Sequence, residues 1–330
     1  MIVSIGHSEP DTESLTKSLD GGKIQLAGIG VDTWGVDFGL LSSTGELLGF
    51  PYHYRDSRTD GMLDHAFAKV PRATIYGVTG IQFMQLNTLF QLLAMSRGQS
   101  PLLEQADTLL FMPDLFHYLF TGEKKSEYSI ASTSQMLDAR TGQWSHELLE
   151  PLGIPTRMLP PIVPSGTVLG PIQESVQKEL NIGPIPVITP GSHDTASAVA
   201  AAPGEGDNWC YISSGTWSRM GVEIDKPILT DGALQLNYTN EGGVGGKIRF
   251  LKNIMGLWLV QECRRQFEKD GQSLGYAELT SMASQSTPLK SIVDPDHGPF
   301  TWPGEMPGKI QDFCRQSNQP VPTSPAELVR

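Results

Sequence analysis

Four short segments hold residue types whose order could do chemistry. The first is Gly191-Ser192-His193-Asp194-Thr195-Ala196. An apolar run at 185–189 ends just before it and an alanine-rich helical pattern follows, so Asp194 falls at a helix N-terminus. The helix dipole there favours an ionised carboxylate. A general base for an alcohol needs that form, held at the C-terminal end of a strand where α/β proteins bind ligands. Taken alone, a plain helix cap is the simpler reading. The second segment, Ser213-Ser214-Gly215-Thr216-Trp217-Ser218, can present backbone N–H and hydroxyl groups to a phosphate, or be an ordinary Ser/Gly turn. The third, Asp32-Thr33-Trp34-Gly35-Val36-Asp37, offers a carboxylate for hydroxyls, a ring for an apolar C–H face and a glycine for close backbone approach. Arg55-Asp56-Ser57-Arg58 lies one strand further on; it could add polar contacts or be a solvated turn. The fourth joins the glycine-rich 241–246 to Asn253, with Ile254, Leu257, Trp258 and Gln261 on one expected helical face. That face reads as core packing, while Asn253 at the helix start could meet a ligand.

These residues need a frame to hold them. Residues 23–33 predict a buried strand, and 35–42 and 46–54 predict a hairpin around Ser43-Thr44-Gly45. Helices are expected at 88–95 and 113–120, the latter stopped by Thr121-Gly122. A proline-rich connection at 151–171 precedes the strand at 185–189. The small, polar 202–207 is the best domain boundary; strands at 209–213 and 219–223 and a helix at 253–267 lie beyond it. Mixed strands and helices make the class α/β. Ser324-Pro325-Ala326-Glu327 is a capping box with only three residues left to build on, so the natural polypeptide is expected to continue.

Bulk properties narrow the function. The 330 residues, 39% hydrophobic and 18% charged, suit two packed domains. A net charge of −12 argues against a nucleic-acid or anionic-membrane partner but allows a phosphate ligand held by local N–H groups and a metal ion. Cys210, Cys263 and Cys314 lack metal-like spacing and read as idle thiols. No basic n-region with an apolar run opens the chain and no stretch has membrane-spanning length. The expectation is a cytoplasmic protein. The absence of GxxxxGK[ST], of GxGxxG after a strand and of an HRD or DFG set removes the P-loop, Rossmann and protein-kinase readings.

In this order, DTWGVDFGLL, PYHYRDSRTDGM, SHDTASAV, SSGTWS and NEGGVGG…LKNIMGLWLVQECRR resemble the FGGY carbohydrate-kinase family, in its branch acting on L-rhamnulose. Weaker matches such as FMPDLFHYLFTG extend the resemblance from about Glu13 to Arg330. It implies an actin/hexokinase-like (ribonuclease H-like) two-domain sugar kinase, incomplete here, with sugar and ATP meeting between the domains. Residues 1–203 would form the sugar-binding domain and 204–330 the nucleotide-binding domain. Asp194 would be the base; Gly35, His193, Asp194, Thr195 and Asn253 would contact sugar; Thr216 and Gln261 would contact ATP, with Mg²⁺ bridging phosphate oxygens. The implied reaction makes L-rhamnulose 1-phosphate from L-rhamnulose and ATP. A kinase for a related ketose such as L-fuculose, or an inactive sugar-binding fragment, is the alternative. Two departures stand out: nothing in Met1–Glu13 matches the family's opening phosphate hairpin, and the glycine-rich adenosine segment expected after Ser324 is absent. Arg219 also replaces the apolar residue usual after SSGTWS.

Overall fold

The computed structural model describes residues 26–206 and 208–330, apart from the Trp217 side chain. The expectations that rest on residues 1–25, namely the start of the first strand, a chain opening without a signal sequence and an opening without the phosphate hairpin, lie outside the described residues. Two compact units result. One is the chain up to Trp209 with Val222–Leu251; the other is Cys210–Gly221 with Lys252–Arg330. The sequence boundary after residue 203 lies near the first crossing, but Val222–Leu251 then returns to the first unit.

In the first unit β1 (Phe38–Leu41) pairs antiparallel with β2 (Thr108–Phe111), Phe38 opposite Phe111, and every residue of both strands is buried. Such continuous apolar strands must be covered on both faces. The cover includes α1 (Thr88–Arg97), whose Leu89, Phe90, Leu92 and Leu93 are wholly buried beside Ile130 and Leu149. Burying each such side chain stabilises by about 1.5–3 kcal/mol. The helix α2 (Met112–Thr121) ends where Gly122, at φ 81°, donates its N–H to the Tyr118 carbonyl. The hairpin expected at 35–54 is only half made. Ser42 N–H bonds the Glu46 carbonyl and Leu48 N–H bonds Leu40, then pairing stops. Gly49 turns to φ 74° and Pro51 has no N–H to offer a ladder.

A short α3 (Tyr128–Ser132) follows. The proline-rich stretch is more ordered than expected: β3 (Val168–Pro171) pairs antiparallel with β4 (Pro186–Ile188) over Ile172, Ile185 and Val187. The extended segment at 26–33 runs beside β4 through parallel bridges Ile29 to Val187 and Thr33 to His193. The helix α4 (Asp194–Ala200) comes next.

A four-stranded sheet is ordered β7-β8-β6-β5, where β5 is Tyr211–Ser213, β6 Trp217–Ile224, β7 Thr239–Gly242 and β8 Ile248–Met255. The helix expected at 253–267 is corrected here. Asn253 and Ile254 belong to strand β8, and α5 (Trp258–Lys269) begins only after Gly256. The reason is local: the N–H groups of Gly256, Leu257 and Trp258 bond the Thr216, Gly215 and Thr216 carbonyls, not a preceding helical turn.

In the second unit α5 packs with α6 (Tyr276–Ser284), α7 (Met306–Gln316) and α8 (Pro325–Val329) around Phe267, Leu279, Phe300, Met306 and Ile310. Half of the capping box forms: Ser324 Oγ accepts from Glu327 N–H, while Glu327 Oε2 reaches one residue further back and accepts from the N–H and hydroxyl of Thr323. Cys263 and Cys314 are buried free thiols, and burial pushes the Cys263 thiol up to about 12, out of nucleophile range. Among the described residues no helix is long and apolar enough to cross a membrane.

Candidate active site

The turn before α4 is built by backbone exchange with the 26–33 segment. Thr33 N–H bonds the Ser192 carbonyl at 3.0 Å and Asp194 N–H returns to the Thr33 carbonyl at 2.8 Å. His193 takes the N-cap position without a side-chain cap bond, and Asp194 is the first helical residue. The Asp194 side chain is 52% exposed, and its Oδ1 accepts from Thr195 Oγ1 at 3.0 Å. It therefore does not spend its carboxylate on capping the helix.

Beneath this exposed carboxylate lies a layer of buried polar groups. Glu127 is fully buried, and its Oε2 accepts from the N–H groups of Ser129, Ile130 and Ser192 and from Ser129 Oγ, while Oε1 accepts from Ser165 Oγ. Asp114 in turn accepts from Ser126 Oγ and Glu127 N–H; burial raises its carboxyl well above the usual carboxylate range. Ser129 Oγ also accepts the His193 N–H at 3.1 Å. On the imidazole side, Arg249 Nη2 lies 3.0 Å from His193 Nδ1 and 3.2 Å from Glu241 Oε2.

Gly35 sits where any Cβ would press on the Thr133 side chain at 3.0–3.1 Å, so the group that approaches its backbone belongs to this chain. Val36 beside it holds φ 68°, a left-handed conformation that costs a β-branched residue of order 1–3 kcal/mol. Three side chains hold it there: Thr133 Oγ1 accepts from its N–H, and Thr88 Oγ1 and Gln91 Nε2 donate to its carbonyl. The Trp34 indole, 38% exposed, donates to the buried Asp37 at 2.8 Å. Burial raises the Asp37 carboxyl and the Trp34 bond partly offsets it. In the Arg55–Arg58 turn, Asp56 caps the local 3-10 turn through Arg58 N–H, and Arg58 stacks over Tyr52 and bonds Gln91.

In the second unit, β5 and β6 form the expected hairpin, Arg219 opposite Ser213. Its tip exposes Ser213, Ser214 and Thr216. Thr216 Oγ1 and the Gln261 amide meet at 3.1 Å. Asn253 Oδ1 accepts from Arg219 Nε at 3.0 Å, which gives the unexpected Arg219 a partner. The structure thus pairs Thr33 with the Ser192–Asp194 turn in one unit and Thr216 with Gln261 in the other.

Sequence reasoning gave no role to Glu127, Thr133, Glu241 or Arg249. Read along the chain they look like surface polar residues; only the fold buries them.

Comparison with known proteins supplies the family. Residues 12–201 match the N-terminal domain and residues 210–330 the C-terminal domain of the FGGY family of carbohydrate kinases. The chain is 45% identical over 305 residues to a rhamnulokinase of Bacteroides thetaiotaomicron, covering 92% of this chain and 62% of that protein. It is 42% identical to a rhamnulokinase of Oceanobacillus iheyensis, covering 93% and 64%. It therefore spans less than two thirds of the length of these curated relatives. Among solved structures, ligand-bound xylulose kinase from Lactobacillus acidophilus superposes with a TM-score of 0.72 at 21% identity, covering 83% of this chain and 54% of that one. That likeness carries the actin/hexokinase-like fold of two domains. With both of its domain models matched in order along the sequence, the chain belongs to the FGGY family of carbohydrate kinases.

Proposed function

We propose that this chain carries the sugar site and general base of a cytoplasmic kinase that phosphorylates L-rhamnulose at its 1-hydroxyl, with ATP as donor. The observation that carries the reading is Asp194: a half-exposed carboxylate on the first residue of α4, bound through Oδ1 to Thr195 and backed by a buried polar layer. Oδ2 makes no hydrogen bond among the described residues and is the oxygen that takes the hydroxyl proton. Removing that proton as the oxygen attacks phosphorus is general-base catalysis, typically worth about 10²–10⁴ in rate. Gly35, His193 and Thr195 would position the sugar from the first unit.

The exposed hydroxyls of the 213–216 tip, with Thr216 braced by Gln261, suit the phosphates of ATP. Magnesium, when bound, neutralises developing charge on those phosphates. Among the described residues no group of three or more His, Cys, Asp or Glu could hold a metal ion.

The test is an ATP-dependent phosphorylation assay on this chain and on a version extended to the length of its curated relatives. L-Rhamnulose should yield the 1-phosphate in the extended protein, with L-fuculose turned over at least about tenfold less efficiently. Equal or greater efficiency on L-fuculose would overturn the substrate assignment.

A further inference from the structure

Arg249 is wholly buried on β8, an expensive place for a cation unless it is put to use. Its Nε donates to the Gly242 carbonyl at 3.0 Å, and Nη2 donates to Glu241 Oε2 at 3.2 Å. The same Nη2 lies 3.0 Å from His193 Nδ1. A guanidinium has donors and no acceptor. A ring nitrogen at hydrogen-bond distance from it must therefore be the acceptor, and so bare. The competing arrangement, Nδ1–H donating to Glu241 Oε2, would set that N–H against the guanidinium 3.0 Å away. With Nδ1 bare, the ring proton of the neutral imidazole sits on Nε2, which lies 3.5 Å from Asp194 Oδ1.

We propose that Arg249 is a positioning residue for the base: it fixes His193 as the Nε2–H tautomer, whose remaining N–H faces the Asp194 carboxylate. Thr195 Oγ1 donates to the same Oδ1 at 3.0 Å. The Thr195 bond holds one oxygen of the carboxylate, the His193 ring lies 3.5 Å from that same oxygen, and Oδ2 is left for the substrate hydroxyl. The His193 backbone is fixed as well, through its N–H to Ser129 Oγ at 3.1 Å. A ring free to turn over to Nδ1–H would present a lone pair to the carboxylate and repel it. The catalytic meaning rests on Asp194 being the base; the tautomer does not.

The experiment is ¹⁵N NMR of the histidine-labelled chain near neutral pH, with His193 assigned by the signals lost in His193→Gln. The unsubstituted protein should show a protonated Nε2 and a bare Nδ1. Arg249→Lys, which keeps a donor, should preserve that signature, and Arg249→Met should move it toward Nδ1–H. In the extended enzyme Arg249→Met should lower kcat roughly tenfold with little change in the KM for ATP. A protonated Nδ1 in the unsubstituted protein overturns the proposal whether or not the variants fold, as does a folded Arg249→Met with an unchanged His193 signature. If Asp194→Asn keeps full turnover while His193 shows the Nε2–H form, the base reading fails and the tautomer assignment stands.

Discussion

The two candidate half-sites are held in opposite ways. Around Asp194, geometry is set by buried side chains: Glu127 collects five hydrogen bonds from Ser129, Ile130, Ser165 and Ser192, and Arg249 bonds Glu241, Gly242 and His193. At the 213–216 tip, geometry is set by backbone: the Gly215 and Thr216 carbonyls receive the N–H groups that open α5, and the side chains stay exposed. A base must keep one oxygen in one place, which takes side chains of fixed chemistry. A phosphate grip needs only backbone of the right shape. Substitutions should therefore act through lost polar partners in the first region and through steric shape in the second.

The largest stability effect expected is from Glu127→Ala. It strips the partners from several buried donors at once, each costing about 1–3 kcal/mol when unsatisfied. A loss of about 3–5 kcal/mol in urea unfolding is expected, and a loss below about 1 kcal/mol would remove the side-chain half of the contrast. Next comes a pH effect in the same unit. His117 Nε2 accepts the Val31 N–H at 3.1 Å, and burial pulls its imidazole from 6.5 down to about 4. The unfolded chain then binds the extra proton first, so stability is full above about 6.5 and is lost as pH falls toward 4. The loss is on the order of 3 kcal/mol. Urea midpoints followed across that window should drop, and His117→Gln, which can still accept but cannot titrate there, should flatten the curve.

A smaller effect is expected in the second region from Gly256→Ala. The new Cβ would fall against Ser218 Oγ and 2.6 Å from the Gly215 carbonyl oxygen, which is backbone and cannot step aside. Overpacking of this kind costs about 1–3 kcal/mol, readable as a drop in the melting temperature. An unchanged melting temperature would show that the tip is looser than its backbone bonds imply. Smallest of all is Thr216→Val, an exposed change expected to stay within about 0.5 kcal/mol. In the extended enzyme it should raise the KM for ATP without moving the KM for sugar.

Legibility in the sequence followed the same division. The Ser192–Thr195 turn, the 211–224 hairpin and the Ser324 helix cap were readable because local chemistry dictates each one. The helix expected from 253 was misplaced because Ile254, Leu257, Trp258 and Gln261 keep helical spacing across a strand end, while the partner that makes 248–255 a strand, Thr239–Gly242, is a pairing the spacing does not show. The second hairpin arm failed at Gly49 and Pro51, which break the ladder inside an otherwise β-rich run. Val36 gives no sign of its left-handed backbone, since Thr88, Gln91 and Thr133, which hold it, come from distant segments. Arg249, Glu241 and Glu127 are charged residues that any composition argument would place in water.

The most direct measurement of the central claim is the turnover of Asp194→Asn in the extended enzyme, read with sugar binding by calorimetry on the same sample. Asn keeps the shape and the Oδ1 acceptor but cannot take a proton. A fall in kcat of roughly 10²–10⁴ with sugar affinity nearly unchanged is expected. Turnover close to that of the unsubstituted enzyme would contradict the assignment of Asp194 as the base.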